Sequence, residues 1–261
     1  MENIKKDNIL YYVFDGTLEG LFTCVFDAFE RKEMPLLILR EENQTLFAEY
    51  YRVITDKQRA DRVLNGLKKK ISKSAVNMLF ICWLTELKEV DMYIFNYICK
   101  AFTSPSSIEL NFADNDVLEL KKIFQKVRWE AEHLRQFLRF QKTSEQIYFA
   151  MVEPLYDVLL MTREFFQDRF ADQQWIIYDI KRHFGLYYDL NKTEIVYFDD
   201  LKVNKSTGKI SKELLSSDEF DFQKGWKEYL KSITIKERIK VKLQKQHMPV
   251  RFWKYLTEKQ G

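Results

Sequence analysis

The chain has 261 residues, of which 46% are hydrophobic and 31% are charged, and its formal net charge is +3. This composition excludes a disordered chain and supplies enough apolar residues for a sizeable core. The longest nearly apolar run, residues 75–84, is too short to span a bilayer as a helix, and the N-terminus shows no signal-peptide pattern, so we expect a cytoplasmic protein without membrane contact.

The first half of the chain reads as mostly helical. Residues 10–15 predict a strand that ends at a turn, Asp15-Gly16, after which Thr17 can cap a helix over 18–32. A second short strand is predicted at 36–39. Further helices are predicted from the pair Thr55-Asp56, at 73–86, at 89–102, and as one long helix after the polar stretch 111–116.

The second half changes to strand periodicity. Residues 146–153 predict a strand, 154–170 a helix with a proline at its start, and 175–198 three strands in an antiparallel meander. Helices are predicted at 226–233 and, from an ambiguous pattern, at 237–244. We therefore expect an α+β protein forming a single domain over 1–261, with a helical N-terminal half and an antiparallel sheet flanked by helices in the second half.

The charge is distributed unevenly along the chain. Residues 224–261 contain eleven Lys and Arg against three Glu, a net charge of +8, so residues 1–223 carry −5. A basic C-terminal subregion on a mildly acidic body fits a nucleic-acid-binding or partner-binding element, and it equally fits a solvated basic helix. The charge pattern taken alone favours the solvated helix.

One stretch of the long helix, residues 127–140, concentrates charge beside an apolar stripe. On a helical wheel Arg128, Arg135 and Arg139 fall together next to the stripe, with Glu132 within reach. The guanidinium groups could form an ion network with neighbouring carboxylates. They could also form an anion site, because arginine suits phosphate and one glutamate cannot neutralise three arginines. Both interpretations stay open at this point.

The sequence contains no complete catalytic or metal-binding motif. Glu130 and His133 have the spacing of one arm of a di-iron site, but no second such pair follows. No P-loop, dinucleotide fingerprint, nucleophile elbow, HExxH or cysteine zinc box is present. We predict no metal and no cofactor, and we expect the three cysteines to be buried apolar residues.

Two later segments add polar candidates. Residues 169–189 contain Asp172, Asp179 and Arg182 among aromatic residues, and residues 248–256 contain Arg251 and Lys254. Basic residues interleaved with aromatic ones suit phosphate contact combined with base stacking, and they also suit a terminal helix that docks through its tryptophan.

Five motifs in a fixed order carry a family resemblance. They are YVFDGTLEGLFTCVFDAFERKEMP, TDKQRADRVLNGL, the pattern V-R-W-E-A-x-x-L-x-x-F-L-R-F, RFADQQWIIYDIKRHFGLYYD and MPVRFWKYLTE. With them the chain resembles an uncharacterised bacterial family labelled "probable DNA metabolism protein", often encoded beside a radical SAM protein of DNA-repair type. The resemblance implies a DNA partner and a radical SAM partner. Where the family pattern carries histidine two residues after Glu130, this chain has Glu132, which argues against histidine chemistry here.

These observations lead to one functional expectation and two alternatives. We expect a nucleic-acid-associated accessory protein of DNA metabolism or repair that contacts phosphates through Arg128, Arg135, Arg139, Arg182, Arg251 and Lys254. One alternative is an enzyme on nucleotides or nucleic acid whose general base is Glu130, Glu132, Asp172 or Asp179. The other is a protein-interaction module, which would present an exposed apolar patch.

Overall fold

The computed structural model describes residues 10–41, 50–198, 203–204 and 209–259. The chain divides into two compact units, residues 1–127 and 128–261, and each is described by itself. The α+β class, with a helical N-terminal half and a sheet flanked by helices in the second half, is confirmed. The single domain over 1–261 stays a prediction. The sequence pattern also predicts a polar loop at 202–213. Part of it lies outside the described residues, and in the rest Val203–Asn204 and Lys209–Ile210 pair as short antiparallel strands, which corrects that prediction.

The first unit contains a small parallel sheet. Strand β1 (Tyr11–Phe14) lies at its centre, between β2 (Leu37–Arg40) and β3 (Tyr50–Arg52), and pairs parallel with both. The sequence predicted the first two strands and missed the third. Strand β3 has only three residues and none is buried, so it has no apolar alternation to detect.

Helices make up most of the first unit, and their N-termini follow the predicted capping. Thr17 Oγ1 accepts the N–H of Gly20 at 3.0 Å, and Asp56 Oδ1 accepts the N–H of Arg59 at 3.0 Å. These side-chain acceptors satisfy backbone donors that a first helical turn leaves free. The helices are α1 (Leu18–Arg31), α2 (Lys57–Lys70), α3 (Lys73–Trp83), α4 (Lys88–Thr103) and α5 (Asn115–Phe137), the last ending in the second unit.

The second unit is built on a five-stranded sheet with the order β4-β5-β6-β7-β8. The predicted meander of its last three strands is confirmed, because β6, β7 and β8 pair antiparallel. One pair departs from the prediction of an antiparallel sheet, since β5 and β6 run parallel. The strands are β4 (Gln141–Lys142), β5 (Tyr148–Val152), β6 (Trp175–Asp179), β7 (Phe184–Tyr188) and β8 (Thr193–Val196).

The helix predicted over 154–170 forms only in its second part. Helix α6 (Arg163–Arg169) follows a 3-10 turn at Leu160–Thr162, and the residues before it are irregular. The backbone of Leu155 explains this difference, because its N–H donates to Glu130 and its carbonyl accepts from Lys181. Tertiary partners occupy the groups that a regular helix would bond internally.

The C-terminal part of the second unit is helical and largely exposed. Helix α7 (Glu219–Ile233) contains the predicted segment 226–233. The second predicted helix begins late, as α8 (Val241–His247), behind a 3-10 turn at Lys236–Arg238. The chain then continues through 3-10 turns at Val250–Tyr255 and Thr257–Lys259. A short hairpin of β9 (Val203–Asn204) and β10 (Lys209–Ile210) precedes α7.

Candidate functional site

Glu130 is a buried carboxylate on the inner side of α5, with 2% of its surface exposed. Its Oε1 accepts the N–H of Leu155 at 2.9 Å, and its Oε2 pairs with the guanidinium of Arg251. Both oxygens are therefore bonded within the protein. The residue joins α5 to the irregular segment before α6 and to the C-terminal 3-10 turn.

Asp179 and Arg182 form a second buried pair at the end of β6. Asp179 is fully buried, and its Oδ2 accepts from Arg182 Nη1 at 2.9 Å. The same guanidinium donates to the carbonyl oxygens of Pro154 and Leu155, both at 3.3 Å. This pair thus holds the same stretch of backbone that Glu130 binds.

Lys254 lies beside these two pairs. Its Nζ contacts the carboxylate of Glu153, which also accepts the hydroxyl of Tyr255 at 3.2 Å. The hydrogen bond from Lys254 holds the pKa of Glu153 below its usual value. The structure therefore brings together three of the six predicted cations, Arg182, Arg251 and Lys254, each opposite a carboxylate.

The predicted arginine edge of α5 separates in the structure. Arg135 donates to Glu132 Oε1 at 2.7 Å and to the carbonyl oxygen of Met161 at 3.1 Å, and its guanidinium lies over the ring of Phe165. Arg128 is exposed on the same helix.

Arg139 lies beyond the end of the helix, because α5 stops at Phe137. Its Nη1 folds back onto the carbonyl oxygens of Gln136 and Leu138, and its Nη2 pairs with Glu258 at 2.9 Å. Basic side chains often satisfy the last carbonyls of a helix in this way. Arg139 therefore turns toward the C-terminal turn and not toward Arg135.

Two of the four predicted acid or base residues lie near each other, since Glu130 and the Asp179–Arg182 pair both bind the backbone of Leu155. Glu130 and Asp179 are buried in ion pairs, whereas Glu132 is partly buried and Asp172 is exposed. A general base needs an accessible oxygen within reach of its substrate. The enzyme alternative expected these acids in one pocket with the arginines, and none of the four lines the pocket described next.

A pocket of about 590 Å³ opens in the second unit, and we call it the aromatic pocket. Its size falls within the range of small-molecule sites, and it combines rings with a few polar groups, as such sites do. Rings reach it from Phe140, Tyr148, Phe170, Phe222 and Trp226, and polar groups from Arg139, Lys142, Gln173, Glu219 and Gln223.

One wall of the aromatic pocket is a cluster of fixed rings. Phe140, just after α5, packs edge-on against Tyr148 at 6.4 Å and Phe170 at 5.1 Å between ring centroids. Behind it lie Phe166 and the fully buried Trp175. Edge-to-face packing of this kind holds rings in defined positions, so this wall is preorganised.

The opposite wall comes from α7. Trp226 is 39% exposed, and its indole N–H donates to Glu258 Oε2 at 3.1 Å. The other oxygen of Glu258 binds Arg139, whose guanidinium lies 6.0 Å from the Trp226 ring centroid. Burial would raise the pKa of Glu258, but hydrogen bonds and the charge of Arg139 outweigh it and lower that pKa.

A buried carboxylate forms part of the lining. Glu219, at the start of α7, is only 7% exposed. Its Oε2 accepts the backbone N–H of Lys142 at 3.0 Å, and its Oε1 accepts the side-chain amide of Gln223 at 2.8 Å. The Lys142 ammonium is 3.4 Å from Asp218. The pocket thus carries two cations and one oriented carboxylate among its rings.

Sequence reasoning missed this pocket, although a pattern in α7 points to it. Glu219, Phe222, Gln223 and Trp226 follow the spacing of one helical face, so an acid and an amide stand on the same face as two aromatic rings. An acid on an aromatic face indicates a partner or a ligand that satisfies it.

The exposed lysines near the C-terminus differ from the predicted cations. Within the part of the chain that the structure describes, they form no ion pair with a carboxylate, in contrast to Arg135, Arg139, Arg182, Arg251 and Lys254. The charge of residues 224–261 indicated this region, but not which of its residues are unpaired. They are Lys224, Lys231, Lys240, Lys242 and Lys245.

Residues 10–41, 50–198, 203–204 and 209–259 show neither a metal-binding cluster nor a membrane-spanning helix. In those ranges no three or more His, Cys, Asp and Glu residues are grouped so that they could hold a metal ion. No helix there is long and apolar enough to cross a membrane. The three cysteines are buried and form no disulfide.

A family profile described as "Domain of unknown function (DUF4130)" matches residues 88–258, about two thirds of the chain. The chain belongs to this family. The DUF4130 match includes the whole aromatic pocket and all six predicted cations, whereas the first three strands and two of the five sequence motifs lie outside it.

Other comparisons add little to the DUF4130 assignment. No curated protein matches the chain significantly. Among solved structures, the chain is similar to the pGpG-specific phosphodiesterase PggH from Vibrio cholerae, with 9% identity and a TM-score of 0.32 over 87% of this chain and 100% of that chain. A likeness at this level carries no argument about fold or function.

Proposed function

We propose that the second unit binds single-stranded nucleic acid, with one unpaired base in the aromatic pocket and phosphates on nearby cations. The observation that carries this proposal is the composition of the pocket. Aromatic rings on two walls offer stacking surfaces, and the basic side chains of Arg139 and Lys142 lie beside them, paired with Glu258 and Asp218. Base stacking on aromatic rings next to cationic groups is the general means of binding single strands.

The phosphate contacts are assigned mainly to the exposed lysines of α7 and α8. Five of the six cations expected from the sequence already face carboxylates, which lowers their capacity to attract a phosphate. Lys224, Lys231, Lys240, Lys242 and Lys245 are exposed and have no such competitor among the described residues. The role of the six original cations stays a prediction.

A narrower role is proposed from the sequence resemblance alone. In it the chain is an accessory protein of DNA metabolism or repair that acts with a radical SAM protein. The nucleic acid would then be DNA, and the aromatic pocket would hold a base that is out of its duplex.

The proposal is tested by binding of a fluorescein-labelled oligonucleotide of about 15 nucleotides, followed by anisotropy from about 50 to 200 mM salt. Wild-type protein is expected to bind the single strand more tightly than the matched duplex. Trp226→Ala is expected to lose about 1–3 kcal/mol of binding free energy, the value of one stacked base.

Trp129→Ala is the matched control, because Trp129 is an exposed tryptophan in α5 and does not line the pocket. Circular dichroism shows whether both variants stay folded. If wild-type protein binds no single strand at low salt, or if Trp226→Ala binds as well as Trp129→Ala, the proposal is wrong.

Protein interaction is a second candidate, favoured by one observation. Helix α7 exposes an apolar ridge, Phe222, Trp226, Tyr229 and Ile233, at helical spacing. Exposed apolar surface of this kind often marks a protein-binding face. Coexpression with the radical SAM protein tests it, since Tyr229→Ser with Ile233→Ser is expected to abolish copurification if the ridge is the contact. Unchanged copurification would exclude the ridge.

A further inference from the structure

We infer that the aromatic pocket prefers guanine over the other bases, because a buried, oriented carboxylate lies in its lining. This inference rests on the proposed function and names the base that the pocket accepts. Glu219 is 7% exposed and lines the pocket together with the rings of Phe140 and Trp226.

The protein uses only part of the hydrogen-bonding capacity of Glu219. One oxygen accepts the N–H of Lys142 and the other accepts the amide of Gln223, at 3.0 and 2.8 Å. A carboxylate offers about four acceptor sites, so each oxygen can accept again. These two bonds also fix the plane of the carboxylate. A ligand with N–H donors can add hydrogen bonds to these two oxygens, whereas a ligand that presents lone pairs to the carboxylate would be repelled.

Guanine meets this requirement better than the other bases. Its Watson–Crick edge presents two adjacent donors, N1–H and the N2 amino group, which match the two oxygens of one carboxylate. Adenine and cytosine place an unprotonated ring nitrogen at the corresponding position, and that nitrogen would face the carboxylate with a lone pair. Thymine and uracil offer a single N–H between two carbonyl oxygens. The side-chain amide of Gln173 also lines the pocket and is a donor suited to guanine O6.

A second class of ligand has the same donor pattern as guanine. An arginine side chain of a protein partner is planar and also presents paired N–H groups to a carboxylate. Arg139 and Lys142 line the same pocket, but they face the carboxylates of Glu258 and Asp218, so the charge of the pocket does not separate the two ligands. The larger fused ring of guanine offers more stacking surface to Phe140 and Trp226 than a guanidinium does.

The test uses one carrier, an oligo-dT of about 15 nucleotides with a single central dG, deoxyinosine or dA. Inosine keeps N1–H and lacks the amino group, so the three probes remove the donors one at a time. Wild-type protein is expected to bind the dG probe about tenfold more tightly than the dA probe, with inosine between them. Glu219→Gln is expected to remove this order, because an amide presents a donor where guanine needs an acceptor.

Glu228→Gln is the matched control, since Glu228 is an exposed residue of α7 and the charge change is the same. This control is expected to keep the wild-type order. The comparison of the three probes on wild-type protein needs no variant, so it holds even if Glu219→Gln does not fold.

The possible results distinguish a failure of the guanine preference from a failure of single-strand binding. Equal binding of the dG, inosine and dA probes by wild-type protein overturns the guanine preference and leaves single-strand binding standing. If the Glu219→Gln protein folds and still prefers guanine, the inference that Glu219 selects this base is also overturned. No binding of any probe, plain oligo-dT included, overturns the proposed function and the inference together.

Discussion

At the scale of single residues, two glutamates on one helix have opposite surroundings. Glu130 is buried, and both of its oxygens are bonded, to Leu155 and to Arg251. Glu132 is partly buried and pairs with Arg135, one turn along the helix. Their positions on the helical wheel separate them, and burial decides what each contributes to stability.

We predict that Glu130→Ala lowers the free energy of unfolding by about 2–4 kcal/mol, because it leaves the Leu155 N–H and the Arg251 guanidinium without their buried partner. Glu132→Ala is the control and is expected to cost about 0–1 kcal/mol, the range of a pair at the surface of one helix. Urea denaturation followed by circular dichroism measures both. Equal losses would show that Glu130 is not the structural link described here.

His133 has a shifted pKa whose cause can be tested. Burial lowers its pKa below the usual 6.5, Glu130 acts in the opposite direction, and Arg251 lowers it further. Its ring stacks on Phe137, with ring centroids 5.7 Å apart, so the protein holds it as a neutral aromatic group.

Because the folded pKa lies below the unfolded value, the unfolded chain binds the proton first. We predict that stability declines as the pH falls below about 6.5, and that the decline is complete once the pH has passed the lowered pKa of the folded state. His133→Phe is expected to keep the stacking and to remove this part of the pH dependence. Urea unfolding midpoints between pH 7.5 and 5 measure this pH dependence of stability. If the midpoint of His133→Phe falls with pH as steeply as that of wild-type protein, His133 is not the cause.

At the scale of elements, two glycines show opposite spatial constraints. In β7, a Cβ added to Gly185 would lie 2.8 Å from the carbonyl oxygen of Ile177 on the neighbouring strand β6. In α7, a Cβ added to Gly225 would meet no atom within 4 Å. The first glycine permits close strand packing, whereas the second only weakens a helix.

We predict that Gly185→Ala destabilises the protein by about 1–3 kcal/mol, since backbone atoms of β6 must move to admit the methyl group. Gly225→Ala is expected to stabilise it by about 0.5–1 kcal/mol through helix propensity. Thermal unfolding of the two variants, which carry the same chemical change, measures the contrast. Similar shifts in both would show that β6 and β7 are packed less closely than described.

At the scale of the whole molecule, the uneven charge sets the salt dependence of binding. Residues 224–261 carry +8 in a chain whose net charge is +3. A cation that contacts a phosphate of a single strand contributes about 0.7 to the slope of log K against log salt. The slope of log K against log salt therefore reports how many lysines contact phosphates.

We predict that changing Lys240, Lys242 and Lys245 together to Gln makes this slope shallower by about 2. The control changes Lys68, Lys69 and Lys70 to Gln, three exposed residues at the end of α2 in the first unit, with the same loss of charge. Anisotropy titrations at four salt concentrations give both slopes. A shallower slope in the control alone would place the phosphate contacts in the first unit.

Sequence reasoning succeeded where a local pattern decides the outcome. Thr17 and Asp56 cap helices because each accepts a backbone N–H three residues away. The antiparallel meander over 175–198 follows from apolar residues in short runs separated by a tight turn. Sequence reasoning failed where groups distant in the chain compete for backbone hydrogen bonds. An example is the segment before α6, where Glu130 and Lys181 bind the backbone of Leu155.

The sequence by itself determined the α+β class, the helical first half, the meander and the basic C-terminal region, because each depends on neighbours in the chain. Only the tertiary structure decided which cations face carboxylates and where a pocket opens. Arg251 meets Glu130 across 121 residues, and Arg139 meets Glu258 across 119. An ion pair or a pocket wall depends on distances in space, and a local pattern of residue types does not contain them.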